Sequence, residues 1–338
     1  MRCITLTKQH LVSRYATRRS LLTSTSSTGT ARTRTKALPS ESVSPSSSQH
    51  CGSPKAEYVN DSKAPSNFLP NSALVYQNFI SEQEAAALEN DLLQRMRRKR
   101  FEKGHWDAVI TDYKEVEIAV PSDGNGDAGF ISNQKNPLSI LSCDVIERVR
   151  DHIAQTHFCQ KNEENVGSAI HWLPCHAIHL KKDGQLTAHV DSIKFSGGIV
   201  AGLSLMSPSI MRLRPASPTE ISESEDSMKS TNESDESPPP TTIFTNNPSR
   251  IPVLDDPKDG PIEFGKSLIN AGHVDLYLPP FSLYVLTGVS RYLYTHELLP
   301  SGSHFIYNDG SATGTSTSTT IQVDRDDRLS VIFRDAGH

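Results

Sequence analysis

The feature that most limits how this chain can fold is the succession of short β-rich runs beyond Ser168. "AIHWLPCHAIHL", "LTAHVDSIKF", "GIVAGLSLM", "IMRLR", "HVDLYLP", "FSLYVLTG" and "RLSVIFR" are rich in β-branched, leucine and aromatic residues and are parted by turn residues. No helical period lies between them, so the βαβ crossovers of a parallel sheet are unavailable. The pattern predicts a mainly β domain, an antiparallel sandwich or jelly roll.

Upstream, "ALVYQNFI" reads as a strand and "SEQEAAALENDLLQRMRRKR" as a helix. Ser81 with Glu84 forms a capping box, and Ala85, Leu88, Leu92 and Met96 recur at helical spacing. Its basic end, Arg95, Arg97, Arg98, Lys99 and Arg100, suits the helix dipole. Pro137 is expected to open a second helix whose apolar face carries Leu138, Leu141, Val145, Ile146, Val149 and Ile153. Between the helices, two extended pieces are expected around Trp106 and Tyr113.

Composition matters here because its deficits are local. The 338-residue chain has a net charge of -5 and is 36% hydrophobic, low for one globular unit of that length. Residues 1–40 are basic and acid-free up to Glu41, with an amphipathic turn around Leu11, Val12, Tyr15, Leu21 and Leu22, the composition of a mitochondrial presequence. Residues 41–72 read as a disordered linker, and 73–338 as the folded domain. Within that domain, about 215–262 is acidic, Ser/Pro-rich and nearly devoid of apolar residues, so it is expected as a disordered insertion between two strands. No run is long and apolar enough for a membrane span, and a monomer is expected. Cys3, Cys51, Cys143, Cys159 and Cys175 show no paired spacing and read as reduced thiols.

His189 and Asp191 stand two apart in an apolar, strand-like run, so they should share a face. A carboxylate beside an imidazole in such a place calls for a cation. His296, past "FSLYVLTG", is the best third partner. Two imidazoles and one carboxylate on one face of a metal leave three adjacent positions open, the facial triad of non-haem Fe(II) oxygenases, whose usual reductant is 2-oxoglutarate and whose oxidant is O2. Arg328 and Arg334 are six apart on the last run and share a face with Ser330; a guanidinium fork would grip the co-substrate carboxylate, with Tyr284 adding a hydroxyl. Cys175, His176 and His179 are a weaker metal set, since Cys175 and His176 should face opposite ways.

The stretches "HVDSIKFSGGIVAGLSLMSPSIMRL", "SLYVLTGVSRYLYTHEL", "RLSVIFR" and "RRKRFEKGHWDAVITDYKEVE" resemble the AlkB-type Fe(II)/2-oxoglutarate-dependent dioxygenases, and within them the mitochondrial seventh-homologue subgroup. The resemblance implies a double-stranded β-helix with N-terminal helices packed on one sheet. It implies iron held by His189, Asp191 and His296, and 2-oxoglutarate held by Tyr284, Arg328 and Arg334. It also implies a mitochondrial matrix location, a link to fatty-acid metabolism and programmed necrosis, and either protein hydroxylation or RNA demethylation. Departures from the family pattern are Ile178 and Leu180 in place of a polar Asn-x-Tyr pair, Ser330 in place of Asn, and Phe281 in place of Gly. A protein or peptide target is favoured over RNA. The competing reading is a jelly roll that binds 2-oxoglutarate or iron as an interaction or sensing module without turnover.

Overall fold

The computed structural model describes residues 52–104, 109–118, 137–158, 170–193, 196–221, 272–307 and 319–336. The expected presequence, most of the acidic insertion, His105 and Trp106 lie outside them.

Among the described residues, twelve strands form two facing antiparallel sheets and a hairpin. The larger sheet has the order β2 (Ala73–Tyr76), β8 (Leu283–Thr287), β5 (Ile199–Met206), β12 (Arg328–Arg334), β4 (Cys175–Leu186) and β3 (Ile110–Ile118). The smaller has β1 (Val59–Lys63), β7 (His273–Leu278), β6 (Ser209–Pro215) and β9 (Tyr294–Leu298). The hairpin pairs β10 (Ser303–Tyr307) with β11 (Thr319–Val323). Helices α1 (Glu82–Met96) and α2 (Ile140–Ile153) cover the outer face of the larger sheet, and a short α3 (Gly288–Tyr292) joins β8 to β9. This is the jelly roll, or double-stranded β-helix, that the strand pattern and the resemblance implied.

The two-residue period of the strands sorts the larger sheet into a dry face and a chemical face. Leu329, Val331 and Phe333 of β12 point toward the helices, as do Ala201, Leu203 and Leu205 of β5, Leu283 and Val285 of β8, and Cys175 and Ala177 of β4. They meet Ala85, Leu88, Leu92 and Met96 of α1 and Val145, Ile146, Val149 and Ile153 of α2. The alternate residues turn inward between the sheets, and these are Arg328, Ser330, Ile332 and Arg334, with Val200, Tyr284, Ile178 and Leu180. Burial of the first set fixes the register, and the register in turn fixes which polar groups enter the interior.

The capping box forms as read: Glu84 N donates to Ser81 Oγ at 3.3 Å and Ser81 N to Glu84 Oε2 at 2.8 Å. The second helix begins later than Pro137, with Ser139 as its cap, because Ser139 Oγ accepts from Ser142 N at 3.3 Å. Asp91 of α1 accepts from Ser139 N (2.8 Å) and Ser142 Oγ (2.7 Å), locking the two helices together.

Three further expectations change. The segment 41–72 is not wholly a linker, since β1 pairs with β7 through Val59, Asn60 and Lys63. Tyr58 explains why: its ring lies 5.4 Å from Tyr277 and 5.9 Å from Tyr307, so the polar strand is anchored by aromatic packing. The first residues of the expected insertion are packed, since Ala216 and Ile221 bury against Val190. Beyond Leu186 the described residues of the run "LTAHVDSIKF" form no strand: they meet their neighbours through the bond from Thr187 N to Val109 O (2.9 Å) and one isolated bridge, His189 to His296. His296 lies past β8 as expected, and there it belongs to a further strand, β9, paired to Leu213 of β6.

Phe281 sits at the turn between β7 and β8 with φ +68°, the left-handed region where glycine is the favoured residue. Pro280 precedes it, and Ser282 N donates to Pro279 O at 3.3 Å, the pattern of a type II turn. Phe281 N donates to Ser204 O (2.7 Å) and its carbonyl accepts from Phe79 N (2.7 Å), while the side chain packs on the helix-side core. These contacts offset the roughly 1–2 kcal/mol that a side chain costs there.

Candidate metal centre

His189 and His296 are brought together by backbone pairing. His296 N donates to His189 O (2.8 Å) and His189 N to His296 O (3.3 Å), so the residues lie directly opposite one another and their side chains share a side. The ring centroids are 4.2 Å apart. Asp191 follows on the same segment, and one ligand atom from each of His189, Asp191 and His296 falls within 4.8 Å of the others. The donor set is two imidazoles and a carboxylate converging on one point, which fits a divalent metal with an open face.

Protonation states suit such a role. Thr187 O can only accept, so His189 Nδ1, 2.8 Å away, carries the proton and leaves Nε2 as the ligand atom. Burial pushes the His296 pKa down to about 3, helped by the neighbouring His189 and opposed by Asp191. His296 is therefore neutral, and its 3.6 Å approach to Asp191 Oδ2 is not an ion pair. For Asp191, burial would raise the pKa, but Arg334 first, and then the two imidazoles and Arg291, outweigh it and hold the carboxyl ionised well below the usual range. Arg334 Nη2 donates to Asp191 Oδ1 at 2.9 Å.

A pocket with about 500 Å³ of space, open solvent included, is lined by these three residues and by residues of both sheets. Tyr284, Arg328 and Ser330, all buried, line it too. Arg328 is 4% exposed and its partners are hydroxyls: Ser330 Oγ at 2.8 Å and Ser204 Oγ at 3.4 Å. Its Nε is buried without a hydrogen-bond partner, and burial pulls its pKa down to about 10. A guanidinium buried like this is costly unless an anion completes it. Burial likewise lifts the Tyr284 phenol to about 12, so it stays protonated and able to donate. The tyrosine fits because its partner across the sheet is Gly202: a Cβ there would lie 2.3 Å from Tyr284 Cε1.

The structure thus gathers all six residues singled out in the sequence around one pocket, though not in equal roles. Arg328 stands free for an anion, whereas Arg334 already serves Asp191. Ile178 and Leu180, where the family pattern is polar, form apolar wall. The rival set separates as its parity required: Cys175 is buried under Arg150, His176 pairs with Glu115, and His179 Nε2 lies 3.1 Å from Asp327. Sequence reasoning gave no role to Arg291, which is 2% exposed and bonded to the segment that carries Asp191. The signal was its place five residues before His296 in an otherwise apolar stretch, where a charged residue has no reason to be unless bonded.

Among the described residues, no helix is long and apolar enough to cross a membrane. No protein-family model matches the chain. The alpha-ketoglutarate-dependent dioxygenase alkB homolog 7, mitochondrial, of Mus musculus and that of Bos taurus are each 27% identical over 237 residues, covering 70% of this chain and 72% of theirs. Among solved structures, OsALKBH1 superposes with a TM-score of 0.37 at 13% identity, covering 81% of this chain and 100% of its own. A Pseudomonas putida prolyl-4-hydroxylase does so with a TM-score of 0.37 at 11% identity, covering 79% and 93%. By its sequence, this chain is similar to these alkB homolog 7 alpha-ketoglutarate-dependent dioxygenases.

Proposed function

We propose that the protein is a mitochondrial Fe(II)- and 2-oxoglutarate-dependent dioxygenase, acting in the matrix on a C–H bond of a protein or peptide. The observation that carries this reading is one pocket lined both by a His-Asp-His cluster and by a buried guanidinium whose described partners are hydroxyls and no carboxylate. Fe(II) held by His189, Asp191 and His296 would supply the redox chemistry that couples O2 and 2-oxoglutarate, released as succinate and CO2, to oxidation of the substrate.

The chain's own groups have separable tasks. His189, Asp191 and His296 would hold the metal through three protein ligands, a set that leaves room for the co-substrate and O2. Arg328, with the hydroxyls of Ser204, Ser330 and Tyr284 around it, receives the far carboxylate of 2-oxoglutarate and sets how far the keto acid reaches toward the ligands. Arg334 keeps Asp191 ionised and oriented. The apolar wall of Ile178, Leu180, Leu186 and Ile110 lowers the local dielectric and strengthens each of these contacts.

A flipped nucleobase needs aromatic faces to stack against. Among the described residues lining the pocket, the aromatic ring other than the two imidazoles is Tyr284, which is buried. This supports a protein or peptide target ahead of RNA. RNA demethylation remains the second reading, favoured by the exposed Arg97, Arg98, Lys99 and Arg100 at the end of α1. The link to fatty-acid metabolism and programmed necrosis follows from the resemblance and belongs to the same proposal.

The test is succinate release from 2-oxoglutarate under air with Fe(II) and mitochondrial extract. The wild type should turn over and His189→Ala should not. Equal release by the two proteins would refute the assignment. Binding of 2-oxoglutarate with no release from the wild type would favour the sensing module instead.

A further inference from the structure

Asp191 sits on irregular backbone, so something other than a sheet must hold its carboxylate in place. From Asp191 to Gly198 the described residues form no strand or helix, and the only ladder contact nearby is the single His189–His296 bridge. Ligands on loops are held less accurately than ligands on strands unless other groups fix them.

Arg291 meets that requirement. It is 2% exposed, on α3, and its guanidinium faces the inside of the loop. Nη1 donates to Asp191 O at 3.0 Å. Nη2 lies within bonding distance of Ser192 O (3.1 Å), Ser196 O (3.3 Å) and Ser196 Oγ (2.6 Å). Nε donates to Gly197 O at 3.1 Å. One planar fork therefore collects main-chain carbonyls from both ends of the loop. The far end is pinned separately: Asp335 accepts from Gly198 N (3.1 Å) and Ile199 N (2.8 Å), and Gly197 N donates to Asp335 O (2.7 Å). Gly197 has no room for a side chain, since a Cβ would lie 2.2 Å from Asp335 Oδ2.

We infer that Arg291 is a positioning residue for the metal ligand Asp191: it holds the main chain of the ligand while Arg334 holds its side chain. The inference rests on the metal-site reading above. Five contacts to carbonyl and hydroxyl oxygens, in fixed planar directions, match arginine and not lysine, whose ammonium is a compact charge on a flexible stem. A buried arginine that only filled space would not need its bonds gathered on the loop of a single ligand.

The test uses the full chain, titrated with Co(II) in the absence of O2 and followed by visible absorption, with thermal unfolding recorded in parallel. Arg291→Lys keeps the charge and removes the fork. It should weaken Co(II) binding by about 10–100-fold, the range seen when groups that orient metal ligands are removed, and alter the absorption pattern at saturation. Ser196→Ala deletes the 2.6 Å hydroxyl contact with Arg291 and, with it, the bond that this hydroxyl donates to Ser192 O (2.8 Å), and should weaken binding by at least roughly two- to tenfold, the net worth of one hydrogen bond; it carries the test if Arg291→Lys does not fold. Both variants should show the losses well below their melting transitions. A folded Arg291→Lys that binds Co(II) within twofold of wild type, or an unchanged Ser196→Ala where Arg291→Lys fails to fold, overturns the inference. So does a loss of affinity seen only near the melting transition, the sign of a merely structural role. Failure of the wild type to bind Co(II) overturns instead the metal-site reading beneath it.

Discussion

Replacing Arg328 by methionine should make the ligand-free protein more stable and at the same time abolish its response to 2-oxoglutarate. Burial lowers the Arg328 pKa from 12.5 to about 10. The sign follows directly: a base whose folded pKa is depressed is harder to keep charged in the fold, and that cost is in force at every pH below the folded value. At about 1.4 kcal/mol per unit, the shift corresponds to a cost on the order of 3 kcal/mol at neutral pH. Methionine fills similar space without the charge, while the hydroxyls of Ser204 and Ser330 each lose a partner, a loss of about 1 kcal/mol apiece. The net expectation is a gain of roughly 1–2 kcal/mol. In a domain of 150–250 residues that raises Tm by about 2–8 °C. In the wild type, 2-oxoglutarate with Mn(II) at a hundredfold excess over Kd should add about 2.7 kcal/mol, and in Arg328→Met it should add nothing. Differential scanning calorimetry with and without the keto acid measures both effects. A lower Tm for the ligand-free variant would show that the guanidinium is satisfied within the protein, which removes the physical reason for placing an anion there.

Three further outcomes follow from the same geometry. Gly202→Ala drives a methyl group into the Tyr284 ring, so it should lower stability by about 1–3 kcal/mol and raise the 2-oxoglutarate KM at least about tenfold; an unchanged KM would remove Tyr284 from the co-substrate site. The depressed His296 pKa means that the unfolded chain takes up a proton below about pH 6.5 while the ligand-free fold does not until about pH 3, so stability should fall as pH drops through that window. By pH 5 the loss from this one group is on the order of 2 kcal/mol, and His296→Gln should flatten the slope; identical slopes in urea unfolding at pH 7 and pH 5 would contradict the burial argument. Asp191→Asn removes the partner of Arg334 and the only anionic ligand, so Co(II) binding should fall by at least about a hundredfold; retained affinity would mean that the carboxylate is not a ligand.

How much of this was readable in advance varies with how local the signal was. β5, β8 and β12 are uninterrupted β-rich runs flanked by turn residues, and the parity of Arg328, Ser330 and Arg334 correctly placed all three on one face. The capping box of α1 is a four-residue pattern and survived intact. Elements that depend on a distant partner were harder. β1 is polar and short, and exists because β7 and the tyrosines beside it receive it. β9 carries His296 within "YTHEL", a segment too brief for alternation to stand out. The expectation that His189 and Asp191 share a strand reached the right cluster through the wrong local structure: one bridge to His296 and a loop gathered by Arg291 replace the strand. A buried arginine bonded to carbonyls leaves no periodic trace, so its role appears only once the backbone it holds is in place. The positive φ at Phe281 is another case, where surrounding hydrogen bonds override a residue preference.

The central claim is tested most directly by a crystal structure grown without O2 in the presence of Mn(II) and 2-oxoglutarate. The account predicts one metal ion bonded to His189 Nε2, to a carboxylate oxygen of Asp191 and to His296, with the far carboxylate of the keto acid on the Arg328 guanidinium. A metal bound elsewhere, or a keto acid whose far carboxylate avoids Arg328, would contradict it.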